Sequence, residues 1–295
     1  MNSITLNAHA KINLGLDVTD KRPDGYHEVR MIMQTIGLYD TVTAVKCLEK
    51  EISITINNEY TTASSDTASI LPEGSDNIMY KAAKLFMDTY NIKGGVKLEL
   101  TKRIPIAAGM AGGSTDAAAV IKALNALYDM QLSDNELYKT GVRAGADVPY
   151  CITGGTMLSE GIGEILTPLS PAPNFSCLIV KPDEGISTKY VYEHLDLKCA
   201  EHPDIDILIK AIETKNPALL CKNVGNILES VTLNTCTSIA GIKAKMLLLG
   251  ADCSLMSGSG PTVFGLFTDK CKAQKAFENF RQGEYRNNTF LTCFV

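Results

Sequence analysis

The run Pro105-Ile106-Ala107-Ala108-Gly109-Met110-Ala111-Gly112-Gly113-Ser114-Thr115-Asp116-Ala117-Ala118-Ala119 joins a strand-like segment, Val96–Thr101, to an Ala-rich helical segment, about Ser114–Tyr128. Glycines let a backbone approach a ligand closely. The free N–H groups of a helix start, at the positive end of its dipole, suit a polyphosphate. Ser114 and Thr115 place hydroxyls in the first turn, where they could touch phosphate or Mg²⁺. The competing reading is a plain glycine-rich turn capped by Ser114. Other phosphate signatures fail. A Walker A loop needs Gly-Lys-Ser/Thr, and no Lys stands in this loop. Gly258-Ser259-Gly260 has no glycine at 263, so it is no dinucleotide fingerprint. The nucleophile elbow, the zinc-protease helix and the protein-kinase signatures are absent.

Working toward the N-terminus, residues 4–18 alternate. Ala8, Ala10, Ile12, Leu14, Leu16 and Val18 face one way, and His9, Lys11, Asn13, Gly15 and Asp17 the other. A lysine amid Ala, Ile and Leu is costly to desolvate without an anion. An ordinary exposed strand face is the simpler reading. Arg22-Pro23-Asp24-Gly25 reads as a turn, and 27–36, 39–46 and 51–56 as strands. Ser75-Asp76-Asn77 starts a helix that runs to about Tyr90. Toward the C-terminus, Ser133 and Glu136 form a capping-box pattern. In Gly145-Ala146-Asp147-Val148-Pro149-Tyr150 the carboxylate is either a helix cap or a placed acid–base group. Gly154-Gly155 is the domain boundary, giving domains 1–155 and 156–295. Strand-like runs follow at 156–160, 177–181, 253–256, 262–267 and 289–294, with helical patterns near 188–195, 204–214, 217–230, 239–249 and 270–281. Leu255–Thr262 between two strands reads as a tight structural turn. Strands and helices mix in both halves, so two α+β domains are expected.

Composition narrows the function. A chain of 295 residues suggests about two domains. A net charge of −5, with no run of three Lys/Arg, argues against nucleic-acid binding. No stretch of 18 apolar residues is present, so no membrane span is expected. The nine cysteines include no C-x-x-C pair, and they read as small core hydrophobes of a reducing compartment. These features predict a cytoplasmic protein, monomer or homodimer.

The four stretches, in this order, resemble the GHMP small-molecule kinases. The loop 105–119 resembles that family's phosphate-binding motif, and the turn 256–262 its C-terminal glycine-rich motif. Ala10-Lys11-Ile12-Asn13-Leu14, Arg22-Pro23-Asp24-Gly25-Tyr26-His27, Gly145–Pro149 and Glu160-Gly161-Ile162-Gly163-Glu164 resemble members whose alcohol substrate carries a cytidine diphosphate. The resemblance runs from about Ala8 to Thr262. It implies a two-domain fold, each domain a mixed sheet with helices and the active site in a cleft between them, and ATP and Mg²⁺ as cofactors. It implies Asp147 as general base and Lys11 as the cation beside it. ATP falls to Asn77, Pro105, Gly109, Ala111, Gly112, Gly113, Ser114 and Thr115, and Mg²⁺ to Ser114. Asn13, Tyr26, His27 and Tyr192 fall to the cytidine substrate. Ala111 stands where many members carry Gly; its methyl fits if φ is negative there. The rival readings are a GHMP kinase for homoserine, mevalonate or a sugar, and a nucleotide-binding protein without turnover.

Overall fold

A computed structural model describes residues 2–60 and 71–295. They gather into two compact units, each assembled from separated stretches of chain. One comprises Met1–Ala10, Leu38–Ile106 and Ala111–Thr153; the other Lys11–Gly37, Ala107–Met110 and Gly154–Val295. Division at 155/156 follows the chain linearly, whereas the packing groups Lys11–Gly37 with the C-terminal half. The cause is the length of strands β1 (Ser3–Lys21) and β2 (His27–Cys47), each of which contributes to both units.

In the first unit, β4 (Gly95–Lys102) pairs parallel with β3 (Ile52–Asn58) and antiparallel with β2, Thr41 opposite Thr101. Four helices join them: α1 (Ile78–Thr89), α2 (Gly112–Leu127), α3 (Asp134–Ala144) and α4 (Val148–Thr153). Phe86 of α1, Leu98 of β4 and Val120 and Leu124 of α2 belong to one buried cluster. Alanines 117–119 lie in the unbroken buried run of α2 from Thr115 to Ile121. The capping box at Ser133 and Glu136 is formed.

In the second unit, β5 (Thr156–Glu160) pairs with β2, Met31 opposite Ser159, and β6 (Ile165–Pro168) pairs with β5. The two-residue β8 (Gly225–Asn226) lies parallel to β1 at Gly15 and Leu16. A separate antiparallel sheet runs in the order β11 (Thr289–Cys293), β7 (Ser176–Val180), β10 (Val263–Phe267), β9 (Cys253–Met256). The helices are α5 (Thr188–Glu193), α6 (Ile205–Glu213), α7 (Pro217–Asn223), α8 (Glu229–Thr235), α9 (Ser238–Leu248) and α10 (Lys270–Arg281).

Several expectations need correction. The runs 27–36 and 39–46 are one strand, and the helix expected at 217–230 is broken by β8. Gly225 is squeezed there, since a Cβ would lie 2.8 Å from Pro203. β1 is buried on both faces through its middle, not on one. At Gly15 the polar face meets α6: a Cβ there would stand 2.5 Å from Leu208 Cδ1 and 2.9 Å from Ile205 Cδ1. The helix at 148–153 and the edge strand β6 were not expected. The cysteines also divide. Cys177, Cys236 and Cys253 are buried, while Cys199, Cys271 and Cys293 are exposed. Only part of the set therefore serves as core.

Candidate active site

The segment between β4 and α2 alternates its backbone hand. Ala107, Gly109 and Ala111 have φ of 51°, 69° and 56°. Ala111 thus takes the left-handed conformation, so the condition of a negative φ fails. That conformation costs an L-residue roughly 1–2 kcal/mol. It turns the chain directly into α2, whose N-cap is Ala111 and which has no side-chain cap. The first helical bond runs from Thr115 N to Ala111 O, at 2.9 Å. The N–H groups of Gly112, Gly113 and Ser114 accordingly precede the helical ladder, as an anion site requires.

Close approach explains two of the glycines. A Cβ on Gly109 would lie 2.2 Å from Ser257 O, and one on Gly112 would lie 3.0 Å from Lys102 Nζ and 3.1 Å from Ile104 Cγ2. Ser257 Oγ donates to Gly109 O at 3.0 Å, so the two glycine-rich stretches touch. Asn226 Nδ2 braces the second stretch by donating to Met256 O and Gly258 O at 2.9 and 2.8 Å. The turn at 257–261 is therefore a partner of the glycine loop at 107–110 and not only a link between strands. Pro105 is buried behind the loop.

The remaining residues fall as follows. Lys11 and Asn13 are buried, 5% and 0% exposed, which overturns the exposed-face reading. Lys11 Nζ donates to Asn13 Oδ1 at 2.7 Å, and Lys11 N donates to Met110 O at 3.2 Å, fixing this strand to the glycine loop. Within its unit Lys11 has no carboxylate partner among the described residues. Asp147 precedes α4, and its carbonyl accepts from Cys151 N at 3.1 Å. Its side chain is half-buried and caps nothing in its unit, so the cap reading loses its basis.

Thr115 Oγ1 donates to His9 O at 2.8 Å and is buried, leaving Ser114 as the half-buried first-turn hydroxyl. Asn77 caps α1: its Oδ1 accepts from Met79 N at 2.8 Å and its Nδ2 donates to Pro72 O at 2.7 Å. His27 and Tyr192 come together, ring centroids 5.2 Å apart at 43°. Burial and the nearby Lys21 hold the His27 imidazole below the ordinary histidine range, which favours its neutral form. Tyr26, beside it in sequence, is 60% exposed.

Sequence reasoning missed one cluster. Lys102 Nζ lies 2.5 Å from Asp40 Oδ2 and 2.8 Å from Asp116 Oδ2, with all three side chains buried. Asp40 Oδ1 also accepts from Arg103 N and Ile104 N, at 2.5 and 2.8 Å. Burial pushes the Asp116 carboxyl well above the usual carboxylate range, against the pull of Lys102. An aspartate in the first turns of a helix reads from sequence as a solvated dipole partner, so no local signal announces the cluster.

A long mixed strand bearing a buried lysine, an uncapped helix start behind a left-handed loop, and a second glycine turn against that loop define a small-molecule kinase of the GHMP class. Residues 77–155 match the GHMP kinases N terminal domain and residues 208–286 the GHMP kinases C terminal domain. The chain belongs to this class and, within it, to the 4-diphosphocytidyl-2-C-methyl-D-erythritol kinase family. It is 51% identical to the kinase of that name from Lachnoclostridium phytofermentans, over 100% of this chain and 98% of the relative. It is 48% identical to the one from Acetivibrio thermocellus, over 100% and 99%. A crystal structure of 4-(cytidine 5'-diphospho)-2C-methyl-D-erythritol kinase superposes with a TM-score of 0.81 at 29% identity, covering 99% of each chain. A homoserine kinase from Cytophaga hutchinsonii, 20% identical with a TM-score of 0.76 over 99% of this chain and 94% of its own, shares the fold.

Proposed function

We propose that the protein transfers the γ-phosphoryl group of ATP to the 2-hydroxyl of 4-diphosphocytidyl-2-C-methyl-D-erythritol, releasing ADP, in the non-mevalonate route to isoprenoids. The observation that carries this reading is the uncapped start of α2, in a chain about half identical along its whole length to kinases of that name. Residues 1–155 are the ATP-binding domain and 156–295 the C-terminal domain. The amides of Gly112, Gly113 and Ser114 receive phosphate oxygens. Gly109 and Ala111 shape the loop around them, backed by Pro105, while Asn77 and Thr115 hold the flanking helices α1 and α2.

Phosphoryl transfer is mostly positioning and charge neutralisation. Asp147 accepts the proton of the acceptor hydroxyl. Lys11, oriented by Asn13, supplies a fixed positive charge to the reacting oxygens. Tyr26 stacks on cytosine, His27 bonds its edge, and Tyr192 holds the His27 ring. The Ser114 hydroxyl fits Mg²⁺, which binds through few protein oxygens plus substrate phosphates. Mg²⁺ supplies neutralisation of the β and γ phosphates when bound. Among the described residues no helix is long and apolar enough to cross a membrane. The reading places the protein in the cytoplasm as a monomer or homodimer.

The test is ADP release by the purified chain with Mg-ATP and the cytidine substrate, beside homoserine, mevalonate, galactose and no acceptor. Release with the cytidine substrate alone is expected. Release with another acceptor overturns the cytidine assignments, and nucleotide binding without release under any condition overturns the catalytic reading.

A further inference from the structure

The buried group of Lys102, Asp40 and Asp116 has no place in the chemistry just described. It also makes little sense as a device for stability. Buried ion pairs are often no better than apolar side chains of equal volume. Here Asp116 Oδ1 is buried without a hydrogen-bond partner, a cost that such pairs rarely carry for nothing. Its location supplies the reason. Lys102 is the last residue of β4, immediately before the glycine loop, and Asp116 lies in the first turns of the helix that leaves the loop. Their 2.8 Å bond therefore joins the two ends of the segment 103–115. Asp40 holds the same ammonium and, through Oδ1, the amides of Arg103 and Ile104, so the strand exit is fixed as well. The ammonium also forms part of the floor under Gly112, where a Cβ would meet it at 3.0 Å.

We propose that Lys102, held by Asp40 and bonded to Asp116, is a positioning residue for ATP: it clamps the ends of the glycine loop and sets where the amides of Gly112, Gly113 and Ser114 stand. This rests on the reading of that loop as the phosphate cradle. The clamp does not touch the ligand. It removes freedom that an open loop would have to lose on binding, so its effect falls on nucleotide affinity and leaves the acceptor alone.

The experiment uses the full chain and variants Asp116→Leu, Asp116→Asn and Lys102→Met. Binding of a non-hydrolysable ATP analogue is read by calorimetry, KM for both substrates by ADP release, and folding by circular dichroism. Asp116→Leu keeps the Lys102–Asp40 pair and so leaves no lone buried charge. It is expected to weaken analogue binding and raise the ATP KM ~10-fold, the scale of one charge-assisted hydrogen bond, with the acceptor KM unmoved. Lys102→Met should do the same if it folds. Asp116→Asn, whose amide oxygen still accepts from Lys102, should recover most of the loss. Folded Asp116→Leu that binds the analogue as tightly as wild type overturns the clamp. So does a parallel rise in both KM values with no recovery in Asp116→Asn. Wild-type protein that binds no analogue overturns the phosphate-cradle reading itself, and the clamp with it.

Discussion

Asp147 and Ala111 are two single residues where conformation, more than chemistry, separates the possible roles. Asp147 begins α4 through its carbonyl, and its carboxylate caps no amide of that helix. Loss of a true cap residue to Ala costs about 0.5–2 kcal/mol. Asp147→Ala should therefore leave the melting temperature nearly unchanged. With the general base of the proposed mechanism removed, kcat should fall by ~10²–10⁴ with little change in the ATP KM. A variant with normal kcat and a lowered melting temperature would return Asp147 to a structural role. Ala111 differs, since its residue type works against its φ of 56°. Gly relieves ~1–2 kcal/mol of left-handed strain but makes the unfolded chain more flexible, offsetting about 0.4–1 kcal/mol. Ala111→Gly should stabilise the protein by up to ~1 kcal/mol in denaturant unfolding. A loss of that size would mean the Ala111 methyl packs usefully. The sign of φ could not be read from an Ala in a glycine run, because both hands are reachable there at modest cost.

At the scale of elements, β1 shows what alternation reveals and what it hides. Alternation located the strand and assigned the faces, but not the helix that comes from 190 residues away in sequence to meet the polar one. The contact of Gly15 with Leu208 and Ile205 of α6 is tertiary and carries no local sequence signal. The same strand carries a contact that pH controls. His202 Nδ1 lies 2.7 Å from Asp17 Oδ1, and its Nε2 2.9 Å from Leu197 O. Both partners are acceptors, so both ring nitrogens must carry hydrogen, as only the imidazolium does. The backbone carbonyl of Leu197, then Asp17, accordingly raises the His202 pKa above its ordinary value. A raised value means that the contact contributes fully below pH ~6.5 and is lost as pH rises through the folded-state value. Hydrogen exchange at 197–203, corrected for intrinsic rates, should be slower at pH 6 than at pH 8. His202→Gln should remove the difference. Faster exchange at pH 6 in the wild-type protein would contradict the doubly donating imidazolium. The helix broken at β8 was equally hidden, because Gly225 and Asn226 serve Pro203 and the 256–258 turn, both remote in sequence.

Over the whole molecule, the legible parts were those with local signatures. The glycine loop, the strand bearing Lys11, the Tyr26-His27 stretch and the Asp147 segment each declare themselves within a few residues. The Lys102 group does not, because its members come from β2, β4 and α2 and are ordinary in isolation. Cysteine usage sits between these cases. Spacing leaves no C-x-x-C pair, and the nine cysteines form no disulfide among the described residues, but composition could not sort them by depth. Depth and thiol acidity give an order of reactivity, since the thiolate is the nucleophile. Cys271 and Cys293 are exposed and should react first with an aromatic disulfide reagent at pH 8. Cys199 is equally exposed, but its bond to Asp196 raises its pKa, so it should follow more slowly. Cys177 is fully buried, with its thiol pushed far up, and Cys253 is buried and raised by its bond to Cys221. With the buried Cys236, these should react only after denaturation. Mass spectrometry of peptides from a timed labelling series reads the order directly. Labelling of Cys177 or Cys253 in the native protein on the timescale of Cys271 would mean that the β7–β10–β9 sheet opens far more readily than its buried strands imply.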